Sequence, residues 1–248
     1  MTRARQTVTT RSMSALSILQ RPSPNHDPRP EGQSVDILLL HYTGMQSGAA
    51  ALERMCDPEA KVSAHYCVEE DGRVFRLVDE DRRAWHAGVA LWQGASDINA
   101  RSVGIEIVNP GHELGYRAFP AAQMAAVIQL ASDIVARHPI PLARVLGHSD
   151  VAPLRKEDPG ELFDWPGLAA AGIGLWPGAH RQAEPLSAAD VASGLSTVGY
   201  GYVEEDLPAV IRAFQRRYRP AAVTGEADAE TCGRLAGLLS LLRTAGTV

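Results

Sequence analysis

The sequence predicts an α/β fold, a mixed central β-sheet flanked by helices, followed by a small C-terminal three-helix domain. Three observations carry this. Short apolar runs, several opening on a β-branched residue and all too brief for helices, recur between residues 35 and 146; stretches of helical period lie among them; and three helical patterns with no strand between them close the chain. At 248 residues and 45% hydrophobic content, the chain can hold one ordinary domain and a small second one, each with its own core. The expected division is an extended arm over 1–33, a first domain over 34–177, a linker over 178–186 and a three-helix domain over 187–244.

The arm ends in Arg21-Pro22-Ser23-Pro24-Asn25-His26-Asp27-Pro28-Arg29-Pro30, whose prolines forbid regular helix and suit an extended surface segment. Residues 35–40 are almost continuously apolar and read as a buried strand ending at His41. Residues 48–55 have helical composition. The runs 62–68 and 73–78 flank Glu69-Glu70-Asp71-Gly72, where Asp-Gly supplies the positive φ of a tight hairpin. Residues 102–108 form another strand candidate. Pro120 opens a helix that aligns Met124, Val127, Ile128, Ala131 and Val135 in one stripe. A strand is expected over 142–146, ending at Gly147-His148. The last three helices fall near 187–197, 207–218 and 227–242, the second with Leu207, Val210, Ile211, Phe214 and Tyr218 on one face.

Charge excludes one large class of function. Lys and Arg total 24 against 29 Asp and Glu, a net charge of -5, whereas a nucleic-acid surface needs concentrated cationic excess. No protein partner is expected. Cys56, Cys67 and Cys232 show no CxxC spacing and read as small buried hydrophobes. No run approaches the ~20 apolar residues of a membrane span. The stretch 13–19 is short and broken by serines, so no secretory leader is expected.

Position along these elements separates the eight histidines. His41 and His148 each end a strand, where open α/β sheets hold ligands, and two such imidazoles can share a metal ion. A catalytic zinc takes three protein donors and keeps one position open. Asp158, in Arg155-Lys156-Glu157-Asp158-Pro159-Gly160, is the preferred third donor, with Asp150, Glu157 or a metal-free salt bridge as rivals. Glu106 sits inside Val103-Gly104-Ile105-Glu106-Ile107-Val108, on the strand face shared with Gly104. Burial there would raise its pKa and suit a general base; the competing reading is an edge-strand residue facing solvent. Lys156, two residues before Asp158, could reach the same cavity and hold an oxyanion, or simply be solvated. Together these parts suit metal-assisted amide hydrolysis.

Seven segments in order carry a family resemblance: Ser23-Pro24-Asn25-His26-Asp27, Leu39-Leu40-His41-Tyr42-Thr43, Val62-Ser63-Ala64-His65-Tyr66, Ala84-Trp85-His86-Ala87-Gly88, Gly104-Ile105-Glu106-Ile107-Val108-Asn109, Gly147-His148-Ser149-Asp150 and Arg155-Lys156-Glu157-Asp158-Pro159-Gly160. Over roughly residues 20–176 the chain resembles the N-acetylmuramoyl-L-alanine amidases of the AmpD and AmiD type, relatives of phage amidases and peptidoglycan recognition proteins. The resemblance implies one catalytic zinc ion held by His41, His148 and Asp158, with Glu106 as general base and Lys156 assisting at the transition state. It implies that Tyr42, His65, Trp85, His86 and Asn109 contact substrate, although His65 and Trp85 could equally be core packing. The substrate implied is peptidoglycan or an anhydro-muropeptide, cut between N-acetylmuramic acid and L-alanine; the alternative is a non-catalytic peptidoglycan sensor on the same fold. The C-terminal helices resemble a peptidoglycan-binding domain through Leu195-Ser196-Thr197-Val198-Gly199-Tyr200, Ala213-Phe214-Gln215-Arg216-Arg217 and residues 224–231. Such a module tethers an enzyme to a polymer or packs as a scaffold. With no leader read, cytoplasmic recycling is the expected setting and the periplasm the alternative.

Overall fold

The computed structural model describes residues 16–178 and 186–244. Its strands are β1 (Ile18–Gln20), β2 (His26–Pro28), β3 (Ile37–Tyr42), β4 (Tyr66–Val68), β5 (Val74–Arg76), β6 (Arg82–Ala84), β7 (Ser102–Ile107) and β8 (Val145–Gly147). Six of them form one sheet in the order β1-β5-β4-β7-β3-β8, and β2 pairs with β6. The helices are α1 (Gly48–Cys56), α2 (Ile98–Arg101), α3 (Gly111–Leu114), α4 (Ala121–Arg137), α5 (His148–Val151), α6 (Trp165–Ala170), α7 (Ala188–Val198), α8 (Leu207–Tyr218) and α9 (Ala229–Thr244). Pairing is parallel from β4 through β7 and β3 to β8, while β5 runs antiparallel to β4, so the sheet is mixed, as the sequence predicts.

β3 lies between β7 and β8 and is covered on both faces, which is why its apolar run does not alternate. Leu38 and Leu40, with Val103, Ile105 and Ile107 of β7, pack against Val127, Leu130 and Ile134 of α4. Ile37, Leu39 and Leu146 look the other way and share a core with Val191, Leu195, Val210 and Phe214 of the C-terminal helices. The three-helix segment therefore continues the core of the sheet. The stretch 142–146 begins as a 3-10 turn over Leu142–Arg144, with the Arg144 amide bonded to Pro141 O, and only then becomes β8. The strands of the hairpin are likewise shorter than the apolar runs that foretold them.

The arm is woven into the fold. β1 adds to the sheet beside β5, and Ser23 and Asn25 are buried. Asn25 Nδ2 donates to Asp57 O at 2.8 Å and Val62 O at 2.9 Å, and the Arg29 guanidinium donates to the carbonyls of Ala100 and Ser102. These side-chain donors tie the arm to backbone carbonyls of α2, β7 and the loop after α1. Residues 1–15, with the first three residues of the stretch read for a leader, and residues 179–185 of the linker lie outside the described residues. All three cysteines are free, Cys67 and Cys232 buried and Cys56 partly so. Among the described residues no helix is long and apolar enough to cross a membrane.

Candidate active site

Two parallel strands and one loop converge at the carboxyl end of the sheet. His41 is the penultimate residue of β3, His148 follows β8 as the first residue of α5, and Asp158 lies on the next loop, where its carbonyl oxygen accepts from the Ser149 amide at 2.9 Å. His41 Nδ1, His148 Nδ1 and Asp158 Oδ2 form a triangle with sides of 2.9, 3.0 and 3.1 Å, and all three residues are buried. These atoms can hold a metal ion. Donors ~2.0–2.1 Å from a tetrahedral zinc lie about 3.3 Å apart, close to the observed spacing.

The surrounding hydrogen bonds decide which imidazole nitrogens carry protons. His148 Nε2–H donates to Ala87 O at 3.0 Å, leaving Nδ1 with its lone pair. His41 Nε2–H donates to His86 Nδ1 at 3.0 Å, His86 Nε2–H points to Ser102 Oγ at 3.3 Å, and Ser102 Oγ–H donates to Ile98 O at 2.7 Å. Each proton in this chain has an acceptor, so both Nδ1 lone pairs aim at each other and at the carboxylate. Lone pairs this close repel unless a cation lies between them, and the donor set thus fits a divalent metal. Burial first, then the His148 ring, lowers the His41 pKa to about 4, and burial drives His86 well below its ordinary value, so both stay neutral.

Gly104 makes this chain possible. A Cβ there would lie 2.6 Å from the His86 ring, so glycine lets the imidazole rest on β7 and reach His41. His41 and Glu106 are partners across the parallel β3–β7 pair and therefore share a sheet face. β7 is internal to the sheet, which removes the edge-strand reading of Glu106. The residue borders the cavity, yet its Oε2 is enclosed and has no hydrogen-bond partner. Desolvation, reinforced by the negative charge of Asp158 and opposed by Lys156, raises its pKa well above the ordinary value.

A cavity of about 380 Å³ opens on this face, lined by Tyr42, His86, Glu106, His148, Lys156 and Asp158 among others. Trp85 lines an adjoining hollow with His86 and Lys156, its Nε1–H donating to Asp27 at 2.7 Å. His65 and Asn109 stand elsewhere. His65 is fully buried behind His86; Nδ1 accepts from the Gly104 amide at 2.9 Å, and Nε2 meets Arg29 and Arg82 O. Asn109 braces its own loop, donating to Arg117 O and accepting from the Gly111 amide. A polar side chain inside an apolar motif can serve either the cavity or the backbone, and these two serve the backbone. The rival carboxylates are engaged outside the donor cluster: Asp150 meets Tyr200 and Arg217, and Glu157, although it lines the cavity, pairs with Arg216.

Sequence reasoning missed His112 and Arg155. His112 faces Tyr42 Oη at 3.0 Å and Glu161 at 3.0 Å and stacks on Tyr116 at 4.3 Å between centroids. Its only signal was a histidine in a glycine-flanked loop. Arg155 donates to Val89 O at 2.8 Å and also to Ala87 O, fixing the loop whose carbonyl orients His148.

A crevice that joins a three-donor cluster to an enclosed carboxyl is that of a hydrolase. Residues 31–161 match the N-acetylmuramoyl-L-alanine amidase family. The chain belongs to that family and is an amidase. The N-acetylmuramoyl-L-alanine amidase AmiD of Escherichia coli (strain K12) is 40% identical over 224 residues, 79% of each chain. The 1,6-anhydro-N-acetylmuramyl-L-alanine amidase AmpD of the same organism is 35% identical over 161 residues, 58% of this chain and 86% of the relative. Among solved structures, the complex of E. coli AmiD with the substrate anhydro-N-acetylmuramic acid-L-Ala-D-γ-Glu-L-Lys is similar with a TM-score of 0.78 and 35% identity, covering 89% of this chain and 94% of that one. AmpDh3 of Pseudomonas aeruginosa has a TM-score of 0.76 and 29% identity, covering 98% and 100%.

Proposed function

We propose that this amidase depends on zinc held by His41, His148 and Asp158, and that it cuts the amide between N-acetylmuramic acid, or its 1,6-anhydro form, and L-alanine in muropeptides. The observation that carries this reading is the triangle of unprotonated donors beside Glu106. Support for the substrate comes from AmiD and AmpDh3, whose structures were solved with anhydromuramyl peptides.

Zinc bound there would polarise the amide carbonyl and lower the pKa of a water molecule. Glu106, on the same sheet face as His41, accepts the proton of the attacking water as the C–O bond forms and returns it to the alanine nitrogen as the C–N bond breaks. A carboxyl with raised proton affinity suits both transfers. Lys156, on the cavity wall, holds the negative charge that develops on the carbonyl oxygen. Tyr42, Trp85 and His86 border the space a substrate would fill, and His86 also orients His41.

The test incubates zinc-loaded and chelated protein with anhydro-muramyl tripeptide and, separately, with intact sacculi, reading products by mass spectrometry. Zinc-dependent release of free peptide supports the reading. Release from the small substrate alone fits a cytoplasmic recycling enzyme, release from sacculi fits a periplasmic one, and cleavage of neither overturns the assignment.

A further inference from the structure

Asp150 is two residues from His148, 1% exposed, and turned away from the donor cluster. Its Oδ2 accepts from the Gly147 amide at 2.8 Å and from Arg217 at 2.9 Å, while its Oδ1 accepts from Tyr200 Oη at 2.6 Å. Arg217 belongs to α8 and Tyr200 to the turn after α7, so both distal groups come from the C-terminal helices. The Arg217 guanidinium is buried, 4.1 Å from the Trp165 ring centroid. Trp165 in turn closes on Gly147, where an added Cβ would meet it at 3.3 Å and Pro159 at 2.7 Å. The neighbouring Arg216 pairs with Glu157, the residue before Asp158. Two consecutive arginines of one helix therefore grip the short helix α5 that carries His148 and the loop that carries Asp158.

A buried ion pair is costly to desolvate, and a hydrophobic residue of similar volume packs at least as well, so the arrangement is better explained by the geometry it imposes. The backbone amide of Gly147 is the atom Asp150 secures, and it immediately precedes the His148 ring. We propose that Arg217 is a positioning residue for the donor cluster. Acting through Asp150, it makes the C-terminal helices part of the catalytic framework, beyond any role in tethering the enzyme to polymer. The inference rests on the zinc reading of His41, His148 and Asp158.

The experiment uses the full chain with Arg217→Met, Tyr200→Phe and Val210→Ala, the last removing core volume from α8 without touching Asp150. Zinc affinity is measured by competition with a chromophoric chelator, alongside thermal melts. Arg217→Met should weaken zinc about 10–100-fold, the range for groups that orient metal ligands, and Tyr200→Phe should act in the same direction. Val210→Ala should lower Tm with unchanged zinc affinity. If Arg217→Met folds and binds zinc as tightly as the unaltered protein, the arginine merely packs and the inference is overturned. Should that variant not fold, unchanged affinity in Tyr200→Phe overturns it equally. No zinc binding by the unaltered protein overturns the zinc reading and this inference with it.

Discussion

Gly104→Ala tests the link between backbone and donor cluster with one carbon atom. Gly104 lies in the regular strand β7, so alanine meets no backbone penalty there and the cost is steric. The new Cβ would stand 2.6 Å from His86 Nδ1 and Cε1 and 2.7 Å from Cγ. Ordinary carbon contacts begin near 3.5 Å, so the ring must retreat about 0.9 Å. His86 Nδ1 accepts from His41 at 3.0 Å, and a retreat of that size stretches the bond beyond useful length. Overpacking of about 1–3 kcal/mol and a lost buried hydrogen bond of about 1 kcal/mol sum to about 2–4 kcal/mol. For a chain of this size that corresponds to a fall in Tm of roughly 4–16 °C. With its tautomer and direction released, His41 should lose zinc affinity by about 10–100-fold. Chelator competition and thermal melts measure the two effects separately. A Gly104→Ala enzyme with unchanged zinc affinity and turnover would refute the argument, and a lowered Tm with unchanged affinity would reduce His86 to packing.

Glu106→Gln should retain zinc while turnover falls about 10²–10⁴-fold, the usual worth of a general acid–base group; a near-normal rate with full zinc occupancy removes Glu106 from the mechanism. Glu80 governs acid stability at the far side of the sheet. Burial would raise its pKa, but hydrogen bonds from Arg137, Tyr66 and His138 bring it to about 2 from an ordinary 4.5. Because the folded value is the lower one, its contribution is complete above pH 4.5 and disappears as pH falls through 2. Glu80→Gln should therefore be less stable at neutral pH and lose less on acidification across that window, and equal acid slopes in denaturant titrations would rule the network out.

Local pattern made much of this protein legible. The apolar run before His41, the stripe after Pro120 and the face from Leu207 to Tyr218 are all set by neighbours in sequence, and the structure has β3, α4 and α8 there. Histidines at strand ends and a carboxyl in an apolar strand stood out because neither is comfortable there without a task. Where apolar residues served exposed turns, as at Leu142, or where a strand was cut short by its partner's length, the same signal misled.

Composition and period by themselves determined an α/β chain with a helical C-terminal segment, and motif order determined the amidase family. Only the tertiary structure decided which polar residues face the cavity. His65 and His86 both sit in motifs of the family, yet one spends its nitrogens on backbone and Arg29 while the other borders the cavity and holds His41. Asp150 rivals the preferred donor Asp158 in sequence, and its burial against Arg217 takes it away from the cluster. The physical reason is that hydrophobic period is written in adjacent residues, whereas the partner of a buried polar group is supplied by a segment far along the chain, 67 residues away for Asp150 and Arg217 and 117 for His41 and Asp158.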